Sequence, residues 1–336
     1  MPALSLGLLV ALVTPLIIGK KIIKYLKAVG IVGIDQHKKD KPVIASSGGT
    51  IVATGVFSGL LTFIALSVFV TKANINLLNL MAALLTVQTI TVIGFLDDIY
   101  LNKKPEKDKS GEIMLRRGLS QLEKTVLLIP AAIPLMAVNA GVSSMILPFI
   151  GKVQFGLLYP LILVPIGVVC VASAVNMLGG FNGLEASMGA IALTGIGVFA
   201  LMNNSVEAAA IALTGAAALI AFLKFNFYPA KVLPGDSLTY LIGALIASSV
   251  IIGNIERFGV IVFTPWIIEA FIKAKQRFRA TCLARVDEKG LLHPKNDKIE
   301  SLTHLMMKLF PLTERRIVVL FAGIEALCVA IAFVLC

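Results

Sequence analysis

Run after run of this chain extends for about 20 residues with few or no charges, the length a helix needs to cross the hydrocarbon core of a bilayer. Ten such runs lie near residues 2–19, 44–70, 77–96, 125–145, 155–175, 185–202, 206–223, 237–253, 258–275 and 317–335. The ninth carries Pro265 and Glu269, and because proline removes a helical hydrogen bond, a kinked or re-entrant element is expected there. Hydrophobic residues make up 57% of the 336, and charged ones only 15%, which is more apolar surface than one soluble core would bury. The expected fold is therefore all-α: a polytopic membrane protein of about ten helices, forming one integral-membrane domain over residues 1–336.

The formal charge of +11 would point to nucleic acid in a soluble protein, but here its distribution describes topology. With the N-terminus outside, the predicted inner loops at 20–41, 100–124, 224–231 and 273–316 hold 7, 7, 2 and 11 Lys and Arg, or 27 of the 30. Only Lys72, Lys152 and Arg257 fall outside. Both termini are thus expected outside, with a long cytoplasmic loop at 273–316 between the ninth and tenth spans. No basic residue precedes the first apolar run, and Lys20, Lys21, Lys24 and Lys27 follow it, as for a retained span rather than a cleaved signal. Cys170, Cys282, Cys328 and Cys336 are scattered, so neither a disulfide framework nor a metal-binding spacing is expected.

Polar residues collect at the predicted inner boundary. Gly94-Phe95-Leu96-Asp97-Asp98 ends an apolar run on two adjacent carboxylates, either a helix end meeting water or a repelling pair that a cation would compensate. No G-x-x-x-x-G-K-[ST] string accompanies it, which excludes a P-loop ATPase. Asn176 to Glu185 reads as a turn without basic residues; its glycines and asparagines are more commonly those of a tight inter-helix connection, and also allow close approach to a ligand. Asp236, in Pro234-Gly235-Asp236-Ser237, reads as an acidic cap at an exposed helix start or as a hard oxygen ligand for Mg²⁺. Lys124 stands at the mouth of the fourth run, where it can pair with the acids or bind phosphate. The basic stretch around Lys38 and the 273–316 loop, with Arg277, Arg279, Arg285, His293 and His304, are topology signals or binding segments.

Gly94 to Asp98, Asn176 to Ala186, and Phe227-Tyr228-Pro229 followed by Gly235-Asp236-Ser237 occur in the order and topology of one family. The chain resembles the polyprenyl-phosphate N-acetylhexosamine-1-phosphate transferase superfamily, and is most similar to its eukaryotic and archaeal UDP-GlcNAc:dolichyl-phosphate GlcNAc-1-phosphate transferases. The resemblance implies a Mg²⁺-dependent phosphoglycosyl transferase, with Mn²⁺ as an alternative ion, that starts a lipid-linked glycan and releases UMP. Its partners would be a UDP-N-acetylhexosamine, a polyprenyl or dolichyl phosphate and membrane lipid, with no nucleic acid; a homodimer is compatible with it. It implies catalytic roles for Asp97, Asp98 and Lys124, and metal ligation by Asn176 and Asp236. Substrate contacts would come from Asn182, Gly180, Glu185, Arg279, Arg285 and Lys38, with Asn182 facing the uracil. Leu233 stands where an aromatic is expected, Ser46 where an acid is, and Ser173 where an asparagine is. The implied location is a cell membrane in a prokaryote or the ER membrane in a eukaryote, with the site facing the cytoplasm. Two alternatives remain: the same chemistry on another UDP-amino sugar or an undecaprenyl-type acceptor, and a secondary transporter, whose polar breaks would lie nearer the membrane midplane.

Overall fold

A computed structural model describes residues 2–100, 106–107, 113–114, 121–147, 151–278, 280–295 and 298–336. It is mostly helical. The first three helices are α1 (Pro2–Ala28), α2 (Gly49–Ala65, prolonged by a π turn over Leu66–Val70) and α3 (Leu77–Tyr100). The fourth apolar run then yields two short pieces, α4 (Gln121–Leu128) and α5 (Ile133–Ala137), joined by a 3₁₀ turn. Next come α6 (Val164–Met177, led in by a π turn at Tyr159–Leu163), α7 (Leu184–Met202), α8 (Val206–Asn226) and α9 (Gly235–Gly253). The ninth run is divided into α10 (Glu256–Val262) and α11 (Thr264–Lys275), after which α12 (Leu302–Leu309) and α13 (Glu314–Leu335) close the chain.

Among the described residues, eight helices are long and apolar enough to cross a membrane, against the ten runs of the sequence. The two that differ are the fourth and the ninth, each interrupted at proline. Pro130 and Pro134 withdraw two backbone donors from the fourth, and Pro265 sits at the first turn of α11, so the ninth restarts rather than continues. At 12 residues α11 is about 18 Å long, short of the roughly 30 Å of a hydrocarbon core. The all-α expectation is also modified by short antiparallel hairpins in the connections, among them Val32–Ile34 with Val43–Ala45 and Ala284–Val286 with Leu292–Pro294.

Helix α9 is the axis of the bundle. All but one residue from Asp236 to Ile252 is buried, against α2, α3, α6, α7 and α8. Small residues set the closest approaches, as membrane helices without a hydrophobic drive between them require. A Cβ on Gly59 of α2 would stand 2.6 Å from that of Ala11 in α1. Elsewhere α7 packs on α8, and α13 packs on α7 and α10.

At one end of the bundle the connections are tied to one another. Ala45 of the first hairpin pairs with Val232 in a parallel bridge and accepts from Leu233 N at 2.8 Å, and Gly48 N donates to Leu233 O at 3.0 Å. The described residues of 273–316 include the Ala284–Val286/Leu292–Pro294 hairpin and α12. Glu269 Oε2 accepts from Leu302 N at 2.6 Å and Ser301 Oγ at 3.0 Å, capping α12 from a neighbouring helix. Lys39 Nζ, from the first connection, donates to Glu288 O in the turn of the last hairpin.

Candidate active site

The carboxylate pair that ends α3 divides into two different environments. Asp98 accepts three hydrogen bonds: from Ser47 Oγ at 2.6 Å, Asp236 N at 2.8 Å and Ser237 N at 3.2 Å. It thereby caps α9, a task that Asp236 was expected to perform for itself. Asp97 instead meets Lys124 Nζ at 2.5 Å, and the same ammonium lies 2.5 Å from Asp236 Oδ2. The other Asp236 oxygen accepts from Asn176 Nδ2 at 2.9 Å, and Asn176 also donates to Thr239 Oγ1 at 2.8 Å. All three acids and Lys124 are buried, so the exposed helix start expected for Asp236 is corrected: α2, α3 and α4 cover it. Glycine makes this closure feasible. Gly235 has φ +71° and lies directly against the Asp98 carboxylate, while a Cβ on Gly94 would sit 2.7 Å from the backbone of Asp236 and Ser237.

A second cluster forms around the turn after α6. Asn182 donates its backbone N–H to Glu314 Oε1 at 2.9 Å and its side-chain Nδ2 to Asp35 Oδ2 at 2.9 Å. Lys38 Nζ joins the two acids, 3.3 Å from Asp35 Oδ2 and in close contact with Glu314 Oε2. The ring of four residues thus closes on itself, with one ammonium shared between two carboxylates. Lys38 and Glu314 also line a cleft of about 590 Å³ with His37, Tyr228, Leu292 and Arg315. Tyr228 carries Lys38 Nζ 4.2 Å and Arg315 Cζ 4.6 Å from its ring centre.

His37 joins this cluster to the last hairpin. Its ring stacks on Phe181 at 4.4 Å, and Nε2 accepts from Ala284 N at 3.1 Å. Burial lowers its pKa from 6.5 to about 4. Because the folded state holds the proton less well than the unfolded one, docking of this connection is unaffected above pH 6.5. It weakens as pH falls below 6.5, and the whole penalty, about 3 kcal/mol, is present below about 4. Protection factors of the amides of residues 29–48, taken relative to the intrinsic exchange rate at each pH, should accordingly fall on acidification from pH 7 to 5 in the wild type and much less in His37→Phe; equal pH dependence in both would remove His37 from this role.

The structure brings Asp97, Asp98, Lys124, Asn176 and Asp236 together, and Lys38, Gly180 and Asn182 into the neighbouring ring and turn. Glu185 is turned inward, its Oε1 accepting from Gly180 N at 2.7 Å, so it braces the turn. Arg285 is exposed on the last hairpin opposite His293 and is not among the residues lining the cleft. Arg279 lies outside the described residues. Sequence reasoning passed over Asp35, His37, Ser47 and Glu314. Asp35 and His37 stood in a string read as basic, and Glu314 resembled an ordinary acid in a first helical turn.

Among the described residues no group of three or more His, Cys, Asp or Glu is placed to hold a metal unaided. The donor set nevertheless suits Mg²⁺, which commonly takes one or two carboxylates and completes its shell with water and substrate phosphate. Asp236 would supply the carboxylate; Asn176 turns its NH₂ to that carboxylate here, which leaves the amide oxygen as the second donor it could offer.

A helical membrane bundle with paired acids, one lysine and an asparagine at a single end defines a class of protein that handles charged groups beside lipid. The chain belongs to glycosyl transferase family 4, whose pattern matches residues 80–254. It is 34% identical over 331 residues to a protein of Sulfolobus acidocaldarius, covering 98% of this chain and 95% of the relative. It is 32% identical over 316 residues to one of Saccharolobus solfataricus, covering 94% and 91%. Both carry the provisional name UDP-N-acetylglucosamine–dolichyl-phosphate N-acetylglucosaminephosphotransferase. A phospho-N-acetylmuramoyl-pentapeptide-transferase of Clostridium beijerinckii is 34% identical over 184 residues, 53% of each chain.

Proposed function

We propose that this protein transfers N-acetylglucosamine 1-phosphate from UDP-GlcNAc to a dolichyl-type phosphate in the membrane. An oxygen of the lipid phosphate bonds to the β-phosphorus, the bond from that phosphorus to the bridging oxygen breaks, and UMP leaves. The observation that carries this reading is the Asp97–Lys124–Asp236–Asn176 cluster at the ends of apolar helices, where a lipid-borne phosphate and a soluble nucleotide can meet. Two anions must approach, so preorganised positive charge is the main requirement. Lys124, held between two carboxylates, supplies a fixed cation for the diphosphate. Asp97, paired with Lys124, is the acid that orients the lipid phosphate. Asp98 is a positioning residue, because its oxygens are occupied by Ser47 and the start of α9. Mg²⁺, or Mn²⁺ in its place, held by Asp236 and the Asn176 carbonyl, would offset charge on the phosphates. The uracil lies beside Asn182. The 27 basic residues of the predicted inner loops orient this end toward the cytoplasm.

Purified protein with UDP-GlcNAc labelled in the sugar, dolichyl phosphate and Mg²⁺ should yield organic-extractable label and equimolar UMP, and chelation should stop both. No lipid product from any UDP-N-acetylhexosamine with either dolichyl or undecaprenyl phosphate would overturn the proposal. Product with undecaprenyl phosphate alone would move the acceptor to that of the peptidoglycan relatives and leave the chemistry in place.

A further inference from the structure

We propose that Asp35 sets the nucleobase preference of this site by fixing which face of the Asn182 amide is offered to the ligand. The inference rests on the reading that a uridine nucleotide lies beside Asn182. An amide has a donor end and an acceptor end, and a carboxylate only accepts. The end of Asn182 that lies 2.9 Å from Asp35 Oδ2 is therefore its NH₂, by chemistry and not by choice of rotamer. The backbone N–H of Asn182 is committed to Glu314. What remains is Oδ1, which has no partner among the described residues.

Asp35 is not free to adapt to a different amide orientation. It is buried at 3% exposure, its backbone N–H donates to Pro42 O at 3.0 Å, and its carboxylate is paired with Lys38, which is itself held by Glu314. Turning the Asn182 amide over would aim Oδ1 at this carboxylate, lone pair against lone pair. The acceptor is thus locked on the side of the amide away from Asp35. Uracil presents an N3–H donor, which this oxygen can accept; cytosine presents a bare N3 acceptor, which it repels. With asparagine at position 35 the lock disappears, because residue 35 can then offer either an oxygen or an NH₂ and the Asn182 amide can follow the ligand. A wrong base edge commonly costs about 1–3 kcal/mol against a fixed polar partner, which is roughly 5- to 150-fold in affinity.

The test compares UMP and CMP as ligands of the purified full-length protein, by calorimetric Kd and by competition against UDP-GlcNAc. The wild type should prefer UMP. In Asp35→Asn the ratio of the CMP to the UMP Kd should fall about fivefold or more, mainly through tighter CMP binding, and Asp35→Glu should restore much of the ratio. Should Asp35→Asn not remain folded, Asp35→Ser releases the amide in the same way and carries the same expectation. Equal weakening of both nucleotides, with the ratio unchanged, would make Asp35 a merely structural brace and overturn the proposal. A wild type that binds neither nucleotide would overturn the uridine reading itself, a result distinct from an unchanged ratio.

Discussion

Asp236→Asn should lower turnover at least about 10²–10³-fold while leaving a folded, membrane-inserted protein. The magnitude is that of removing one preorganised electrostatic partner from a transferring centre. The geometry explains why an isosteric change is so costly. Asp236 accepts from Lys124 on one oxygen and from Asn176 on the other. An amide has one acceptor, so either Lys124 or Asn176 would face an NH₂ group. Lys124 would keep Asp97, so the ammonium would remain partly paired but drawn to one side. Loss of one charged hydrogen bond predicts a stability decrease of about 1.5–3 kcal/mol, visible as a lower Tm in detergent without loss of helical signal. Turnover like the wild type would reduce Asp236 to a structural counter-ion and remove the main support for the proposed chemistry.

Gly94→Ala should be destructive in a different way, costing about 3 kcal/mol or more and losing activity with stability. The added methyl would stand 2.7 Å from the carbonyl carbon and oxygen of Asp236 and from Ser237 Cα. Those are backbone atoms at the start of the most buried helix, so no rotamer change relieves the contact. Helices α3 and α9 would have to separate at the point where Asp98 caps α9. Leu96→Ala is the control, two residues away on a side chain that is 58% exposed; it should leave Tm and turnover near the wild-type values. A Gly94→Ala protein as stable and active as that control would show that the closure of these helices is not what positions the acids.

Much of the bundle was legible in the sequence because membrane spans are set by local hydropathy, which needs no knowledge of distant contacts. The ten apolar runs and the eight long helices part at Pro130, Pro134 and Pro265, where an apolar run is not one continuous helix. The acid–lysine–asparagine centre was legible for a related reason: Asp97, Asp98, Asn176 and Asp236 are unusual residues at the ends of apolar runs. Their division of labour was not legible. Asp97 and Asp98 are neighbours in sequence, yet one caps a helix 138 residues away and the other binds a lysine, a distinction made only by packing. Asp35 and Glu314 were hidden for the same reason, since nothing within a few residues of either marks it as the partner of Asn182.

The ring that links Lys38 to Glu314 joins residues 276 positions apart, from the first connection to the first turn of the last helix. During synthesis at about 5–20 residues per second, the first connection therefore waits roughly 15–60 s for its partner to emerge. Until then it holds a lysine and an aspartate beside a turn that has lost its second anchor. The last helix is in this sense the latch of biogenesis: the ring around Asn182 closes only once Glu314 has been made and its helix has docked.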